Sequence, residues 1–241
     1  MSVTGNIKAM VSRLPKGYVF TYTDVIREAS QKEAAIKALN RMVNSGKLGK
    51  IAKGKYYKPE TSIFGELKPE QKQVVKDLLE ENGKVTGYLT GFSMFNRFGL
   101  TTQVSNTIQI GKKEVRPRFK RERYQISVIK QKNTITKKNI LLLQILDSIR
   151  LIKRIPDTPT EIACRRLTSI VKALPEEEKR NMVALAMKYP PATRALLGAI
   201  LDELNETAIS EPLIKTLNPI TKFKLPGSEE ALRTTEKWNI K

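Results

Sequence analysis

The sequence predicts an α+β protein. An N-terminal winged helix-turn-helix, residues 1–60, precedes an α+β domain, residues 61–241, that ends in a helical bundle. Three observations support this. Residues 21–58 follow the order helix, turn, helix, basic hairpin. Strand-like patterns lie between residues 84 and 130. From residue 140 onward, apolar residues recur at spacings of three and four, as in amphipathic helices.

The first helix, residues 2–14, is followed by a short strand, residues 18–21, that we expect to pair with the hairpin. Thr21-x-x-Asp24 is a capping sequence for the next helix, and Ser30-Gln-Lys-Glu33 repeats this pattern before the third. That helix has one apolar stripe, formed by Ile36, Leu39, Met42 and Val43. Gly46 ends it, and a lysine-rich hairpin of residues 48–52 and 55–58 follows.

This order predicts that the helix before Gly46 enters a DNA major groove and that the hairpin is the wing. Arg pairs with guanine, and Gln or Asn with adenine, whereas lysines on a wing suit phosphate contacts. The candidate DNA-binding residues are Gln31, Lys37, Asn40, Arg41, Lys50, Lys53 and Lys55. The alternative is a helical hairpin whose basic face is merely solvated.

The net charge of +20 implies a polyanionic partner, and nucleic acid is the first candidate. Residues 1–58 carry 12 Lys and Arg against 3 acids, and residues 112–138 carry 11 against 2. Two basic blocks therefore hold nearly all the excess. The first coincides with the predicted winged helix, and the second needs its own explanation.

The second block, residues 112–138, combines cations with aromatic residues in strand-like sequence. Its predicted basic surface consists of Arg116, Arg118, Lys120, Arg121 and Arg123, with Phe119 and Tyr124 between them. Cations interleaved with aromatic rings can bind nucleic acid backbone and bases, so RNA is a possible partner here. The alternative is one solvated face of a sheet, which can also cover an acidic partner protein.

Several function classes are excluded or disfavoured. The chain has no His, which excludes His-dependent triads and zincin helices. The lone Cys164 excludes an internal disulfide and a cysteine metal cluster, and no phosphate-binding glycine motif occurs. We therefore expect no enzyme activity, no cofactor and no metal. Without an apolar run of ~18 residues or a signal-peptide pattern, we expect a cytoplasmic protein with no membrane partner.

The rest of the chain is predicted mostly from helix signals. Residues 61–67 form a linker or edge strand, and Pro69 begins a helix that extends to Glu81. Thr90 or Ser93 caps a short helix, and residues 107–110 form a strand. Four helices follow, at residues 140–151, 158–173, 175–189 and 190–204, the second with a Thr158-Pro-Thr-Glu161 capping box. After residue 206, prolines predict extended segments.

The middle of the chain resembles a known family. Tyr88-Leu-Thr-Gly91, a short helix and Gly99-Leu-Thr-Thr-Gln-Val, placed after a winged helix, are similar to the AbiEi-type antitoxins of type IV toxin–antitoxin systems. Gly54-Lys-Tyr-Tyr and Leu217-Asn-Pro-Ile agree with this resemblance, which covers most of the chain. The Gly-Leu-Thr-Thr-Gln segment is its most specific part.

The resemblance implies an antitoxin that represses its own operon by binding double-stranded promoter DNA. It also implies that the C-terminal domain counteracts a nucleotidyltransferase-like toxin, through direct contact or through the toxin's target. Operator binding by the winged helix alone does not explain the second basic block. The alternative function is a stand-alone winged-helix regulator whose C-terminal domain senses a ligand or dimerises. A further alternative is an enzyme acting on nucleic acid, which the missing His and motifs disfavour.

Overall fold

The computed structural model describes residues 3–26, 28–63 and 65–241. The predicted first helix includes Ser2, which lies outside the described residues, as does position 64 of the predicted linker. The helices are α1 (Val3–Arg13), α2 (Lys32–Asn44), α3 (Gln71–Val74), α4 (Lys76–Leu79), α5 (Phe92–Phe95), α6 (Ile140–Arg150), α7 (Thr160–Lys172), α8 (Glu176–Ala186), α9 (Pro191–Glu203) and α10 (Thr207–Ile214).

The strands are short and form small sheets and hairpins. They are β1 (Val19–Phe20), β2 (Gly49–Ala52), β3 (Lys55–Tyr57), β4 (Glu60–Ser62), β5 (Gly65–Leu67), β6 (Glu80–Glu81), β7 (Lys84–Val85), β8 (Gly87–Thr90), β9 (Thr107–Lys112), β10 (Phe119–Arg121) and β11 (Tyr124–Lys130). The predicted α+β class is confirmed. The chain divides into two compact units: Met1–Leu78 with Phe119–Gln125, and Leu79–Arg118 with Ile126–Lys241.

In the first unit, α1 and α2 pack around a small apolar core. Residues spaced by three and four on α2 are buried because they share one face of the helix. The buried core residues are Ile7, Val11, Phe20, Val25, Ala35, Ala38, Leu39, Met42, Leu48 and Tyr56. Of the predicted stripe, Leu39 and Met42 are buried, while Ile36 and Val43 are half-buried.

The end of α2 is fixed by the glycine that the sequence indicated. Gly46 has φ +70, and the N–H groups of Gly46 and Lys47 donate to the carbonyls of Val43 (3.0 Å) and Met42 (2.9 Å). These two bonds form a Schellman motif. After the turn, β2 and β3 form the predicted hairpin, and β1 pairs with β3, so the sheet order is β1-β3-β2.

Two details around α2 differ from the prediction. The helix expected after Thr21 is only a 3-10 turn, Tyr22–Asp24, in which the Asp24 carboxylate accepts the N–H of Thr21 at 2.7 Å. The Ser30 cap does not form. Its hydroxyl donates to Glu28 at 3.2 Å, and residues Ala29–Gln31 form a second 3-10 turn before α2. The Ser30 side chain thus forms a local bond outside α2 instead of a cap.

The helix predicted between Pro69 and Glu81 is interrupted at Val75 and ends at Leu79. The structure has two single turns, α3 and α4, followed by a β6–β7 hairpin whose turn contains Asn82 and Gly83, both with positive φ. The apolar spacing misled because Val74, Val75, Leu78 and Leu79 are buried whether the helix is continuous or broken. The expected edge strand is also a hairpin, β4–β5.

In the second unit, strands β8, β9 and residues 126–130 of β11 form a sheet in the order β11-β9-β8. The four predicted helices α6 to α9 are present. A fifth helix, α10, replaces the predicted extended segment, with Pro212 inside it. Proline is tolerated because α10 is only eight residues long and buries Ile209 and Leu213 against α9.

Two other predicted caps do not form, and their side chains bond elsewhere in the fold. The Thr158 hydroxyl donates to the carbonyl of Leu100 at 2.7 Å, and Pro159 is the N-cap of α7. The N-cap of α5 is Gly91 rather than Thr90 or Ser93. Gly91 has φ +53, and a Cβ there would lie 1.9 Å from the amide oxygen of Gln109. This position therefore requires glycine.

A buried carboxylate connects three parts of the second unit. Asp147 on α6 is 1% exposed and accepts hydrogen bonds from the hydroxyls of Tyr88 (2.7 Å), Thr90 (2.7 Å) and Tyr189 (2.9 Å). Gln131 donates to both tyrosine hydroxyls. Burial raises the pKa of Asp147, and the three hydroxyl donors partly offset that effect. The network fixes β8 and the segment before α9 on α6.

The end of the chain packs on α9. Trp238 is buried, its indole N–H donates to Asp202 at 2.9 Å, and its ring occupies the space that a Cβ at Gly198 would need. Lys237 also contacts Asp202, at 2.5 Å. The C-terminal residues are therefore part of the core of this unit.

Within residues 3–26, 28–63 and 65–241, every helix falls short of the length and apolarity that a membrane crossing needs.

We expect Asp147→Asn to lower the free energy of unfolding by about 1–3 kcal/mol, because the amide cannot accept from all three hydroxyls. Urea unfolding followed by the fluorescence of Trp238, the single Trp, measures this. Glu177→Gln, at an exposed carboxylate, is the control and should have little effect.

The pH dependence of the Asn variant follows from the raised pKa of Asp147. Asp147 holds its proton more tightly in the folded wild type than in the unfolded chain. The stabilisation that this gives is complete below pH ~4 and is lost as the pH rises through the folded pKa. The stability deficit of Asp147→Asn should therefore shrink as pH rises above ~4. A deficit that grows with pH would show that the hydroxyl donors outweigh burial.

Candidate nucleic-acid interface

Helix α2 presents two cations on the face opposite its buried residues. Lys37 and Arg41 are four residues apart and exposed, while Ala38 and Leu39 between them are buried. Neither cation forms an ion pair with any described residue. Spaced by one turn, they form an unpaired positive edge along the helix. Glu33, one further turn toward the N-terminus, makes this face mixed in charge.

The two amide side chains predicted beside these cations are less exposed. Asn40 is half-buried, and its amide oxygen accepts a hydrogen bond from the Tyr56 hydroxyl at 3.2 Å. Its amide NH₂ group stays available to an acceptor. Gln31 is half-buried in the 3-10 turn that precedes α2. The structure therefore places all four helix-side candidates within or directly before α2.

The three wing lysines have different environments. Lys53 is exposed at the hairpin turn, and Lys50 is exposed with its ammonium 6.0 Å from the ring centre of Tyr56. Lys55 is instead paired with Asp77, at 3.1 Å. Lys55 is thus held in an ion pair within the protein, which weakens its candidacy as a phosphate ligand.

Asp77 also binds a cation from the second basic block. Arg121 is 7% exposed, and its guanidinium donates to both carboxylate oxygens of Asp77, at 2.5 and 2.8 Å, and to the carbonyl of Val74 at 2.8 Å. Burial favours a higher pKa for Asp77, but the hydrogen bonds and charge of Arg121, with Lys55, lower it overall. Arg121 is therefore a structural residue and does not belong to an exposed basic surface.

The remaining residues of the predicted second basic surface are divided between the two compact units. Arg116 and Arg118 lie in the second compact unit, whereas Lys120 and Arg123 belong to the first. All four are exposed. The guanidinium of Arg123 lies 5.0 Å from the ring centre of Tyr124 and donates to its hydroxyl at 2.9 Å. Tyr124, one of the two aromatic residues of this block, is thus already in contact with Arg123.

Sequence reasoning missed Asp77 because its partner Arg121 lies 44 residues away and no local pattern connects them. Only the tertiary fold distinguishes a neutralised cation from a free one.

The described residues contain no group of His, Cys, Asp or Glu that could hold a metal ion. The thiol of Cys164 is buried, and burial raises its pKa to about 12, so it is a poor nucleophile at neutral pH. It packs in the core of the second unit.

Comparison with known proteins gives a family and a fold. Residues 6–182 match the model of DUF6088, a family of unknown function. The chain is similar to the crystal structure of the RV2827C protein from Mycobacterium tuberculosis, with a TM-score of 0.50 and 13% identity over 92% of this chain and 84% of that one. At this identity the likeness concerns the fold alone. No curated protein matches the chain.

We expect Arg121→Gln to destabilise the first unit by about 1–3 kcal/mol, because it removes the guanidinium bond to the Val74 carbonyl and two of the hydrogen bonds that Asp77 accepts. Hydrogen exchange measured by mass spectrometry should show faster exchange in α3 and α4. Lys120→Gln, one residue away and exposed, is the matched control and should leave exchange unchanged.

The lowered pKa of Asp77 gives this pair a pH dependence. Its stabilising contribution is present above the unfolded carboxyl pKa and is lost as pH falls through the lower folded value. The difference in hydrogen-exchange rate between wild type and Arg121→Gln should accordingly become smaller at acid pH. Equal exchange in the two proteins at neutral pH would contradict a structural role for Arg121.

Proposed function

The chain belongs to the DUF6088 family, and we propose that it is a double-stranded-DNA-binding regulator whose first unit acts as a winged helix-turn-helix. In this proposal α2 is the recognition helix, the β2–β3 hairpin is the wing, and the bound DNA includes the promoter of the protein's own operon.

The observation that carries the proposal is the unpaired cationic face of α2. Lys37 and Arg41 project from a helix whose opposite face is buried, and no described carboxylate neutralises them. A guanidinium can donate two hydrogen bonds to the O6 and N7 atoms of guanine, and the amide of Asn40 can donate to an acceptor. Glu33 can accept from the N4 amino group of cytosine.

The wing supplies a different kind of contact. Lys53 is exposed at the tip of the β2–β3 hairpin and Lys50 is exposed on β2, so both suit phosphate groups beside the groove. Lysine–phosphate contacts position a protein on DNA without reading its sequence. Lys55 contributes less because it is held in an ion pair with Asp77.

We further propose that the protein is an antitoxin that counteracts a nucleotidyltransferase-like toxin through residues of its C-terminal domain. This proposal rests on the resemblance of Tyr88-Leu-Thr-Gly91 and Gly99-Leu-Thr-Thr-Gln-Val to the AbiEi-type antitoxins. The structural positions of these residues explain why the segments need their sequence. Tyr88 and Thr90 bind Asp147, and Thr101 donates to the carbonyl of Pro156 at 2.9 Å.

We expect Arg41→Ala and Lys37→Ala to weaken binding to the protein's own promoter by about 1–3 kcal/mol for each lost base contact. Binding to random DNA should weaken less, because the two side chains are proposed to contact base edges. Titration of both DNAs at several salt concentrations, followed by fluorescence anisotropy, measures the difference.

Lys53→Ala is the contrasting variant. It should weaken binding to promoter and random DNA equally. The slope of log K against log salt concentration should become shallower by about 0.9 for one lost phosphate contact. Lys55→Ala should change the salt dependence less than Lys53→Ala. If Arg41→Ala loses equal affinity for both DNAs, the base-reading role of α2 is refuted.

The antitoxin proposal predicts growth rescue. Co-expression with a neighbouring toxin-like gene, each gene under a foreign promoter, should restore growth for the wild type and for Lys37→Ala/Arg41→Ala alike. The foreign promoters remove autorepression, so rescue then reports the activity of the C-terminal domain. Leu100→Asp, which places a carboxylate in the core, should fail to rescue. Rescue that is lost with Lys37→Ala/Arg41→Ala would tie antitoxicity to DNA binding.

A further inference from the structure

The second unit has two adjoining cavities beside the N-terminal end of α9. The larger, about 400 Å³, includes Ala192 and Thr193 of α9 in its lining. The smaller, about 310 Å³, includes Pro190 and Pro191. Arg150, at the end of α6, lines both. We refer to the two cavities together as the α9 groove.

The α9 groove is strongly basic. Arg150, Lys153, Arg154, Lys222 and Lys224 line the larger cavity, and Lys130, Lys132 and Lys188 line the smaller one. No Asp or Glu is among the described lining residues of either cavity. The α9 groove therefore combines eight cations from four separate parts of the chain, and sequence patterns did not single out any of them as a site.

These cations are exposed, and among the eight the charge of Arg150 also acts on the buried Asp147. All eight side chains belong to exposed residues, and none forms an ion pair within the described part of the chain. Lys55 and Arg121, by contrast, share Asp77. Cations held close together in a concave surface repel one another and concentrate the positive potential, so an anion bound there would be stabilised.

The two cavities differ in their uncharged surface. The larger one has an apolar floor with buried Ile152, Leu196 and Leu225 and half-buried Phe223. In the smaller one, Tyr189 and Gln131 are already committed to the hydrogen-bond network of Asp147. A ligand that fits both cavities has a flat or apolar group for the larger one and several negative charges for the surrounding cations.

We propose that the α9 groove binds a nucleoside polyphosphate. The base lies on the apolar floor beside Phe223, and the phosphates lie among Arg150, Lys153, Arg154 and the two lysines of the C-terminal segment. The cavity volume falls in the range of small-ligand sites, which is ~300–1,000 Å³. The positive end of the α9 dipole adds to the attraction for phosphate. This binding is independent of DNA binding by the first unit.

The test uses the full chain and isothermal titration with ATP, adenosine and inorganic tripolyphosphate. ATP should bind more tightly than either part alone, because it combines the base with the charges. The variant Lys222→Glu/Lys224→Glu should weaken ATP binding by at least about tenfold, as expected for loss of charged contacts. Fluorescence of Trp238 confirms that the variant is folded.

Lys137→Glu/Lys138→Glu is the matched control. It reverses two exposed lysines of the same unit that line neither cavity, so the net charge changes equally. ATP affinity should stay within about threefold of wild type in this control. Lys37→Ala/Arg41→Ala should also bind ATP normally, which separates this inference from the DNA-binding proposal.

Several results would overturn the proposal. Equal loss of ATP affinity in the two double-glutamate variants would show attraction by overall charge rather than by the α9 groove. Tripolyphosphate binding as tight as ATP would remove the base from the site. A short single-stranded oligonucleotide that binds far more tightly than ATP, and is lost with Lys222→Glu/Lys224→Glu, would assign the α9 groove to a nucleic acid strand instead.

Discussion

The second unit depends on the buried carboxylate of Asp147. Burying a carboxylate is costly, and the hydroxyls of Tyr88, Thr90 and Tyr189 offset that cost by donating to it. Each donor comes from β8 or from the segment before α9, so satisfying one acid fixes strand and helices together. Gln131 ties the two tyrosines to the end of β11. Removing any one donor leaves the Asp147 carboxylate buried with one hydrogen bond fewer.

The same network gives a physical reason for the Tyr-Leu-Thr-Gly sequence at residues 88–91. Tyr88 and Thr90 are donors to Asp147, and Gly91 provides the positive φ and the space that Gln109 requires. Residues 88–91 therefore have a role in forming the fold. The network also underlies the α9 groove, because the charge of Arg150 acts on Asp147 while its side chain lines both cavities.

The tertiary structure sorts the large positive charge of the chain into two classes. Some cations form ion pairs within the protein. Lys55 and Arg121 share Asp77, and Lys68 pairs with Glu122 at 3.0 Å. Others are left without a carboxylate, notably on α2, at the wing tip and in the α9 groove. The net charge of +20 is therefore not spread evenly over the surface as available charge.

The sequence by itself determined the features that depend on neighbouring residues: the α+β class, the apolar stripe of α2, its glycine stop, the β2–β3 hairpin and helices α6 to α9. These are set by periodicity and by backbone preferences within a few residues. Only the tertiary structure decided the fate of Thr158 and Arg121, the β6–β7 hairpin and the helix containing Pro212. In each case the deciding partner lies far away in the chain or the burial is equal in either conformation, and local pattern cannot detect such contacts.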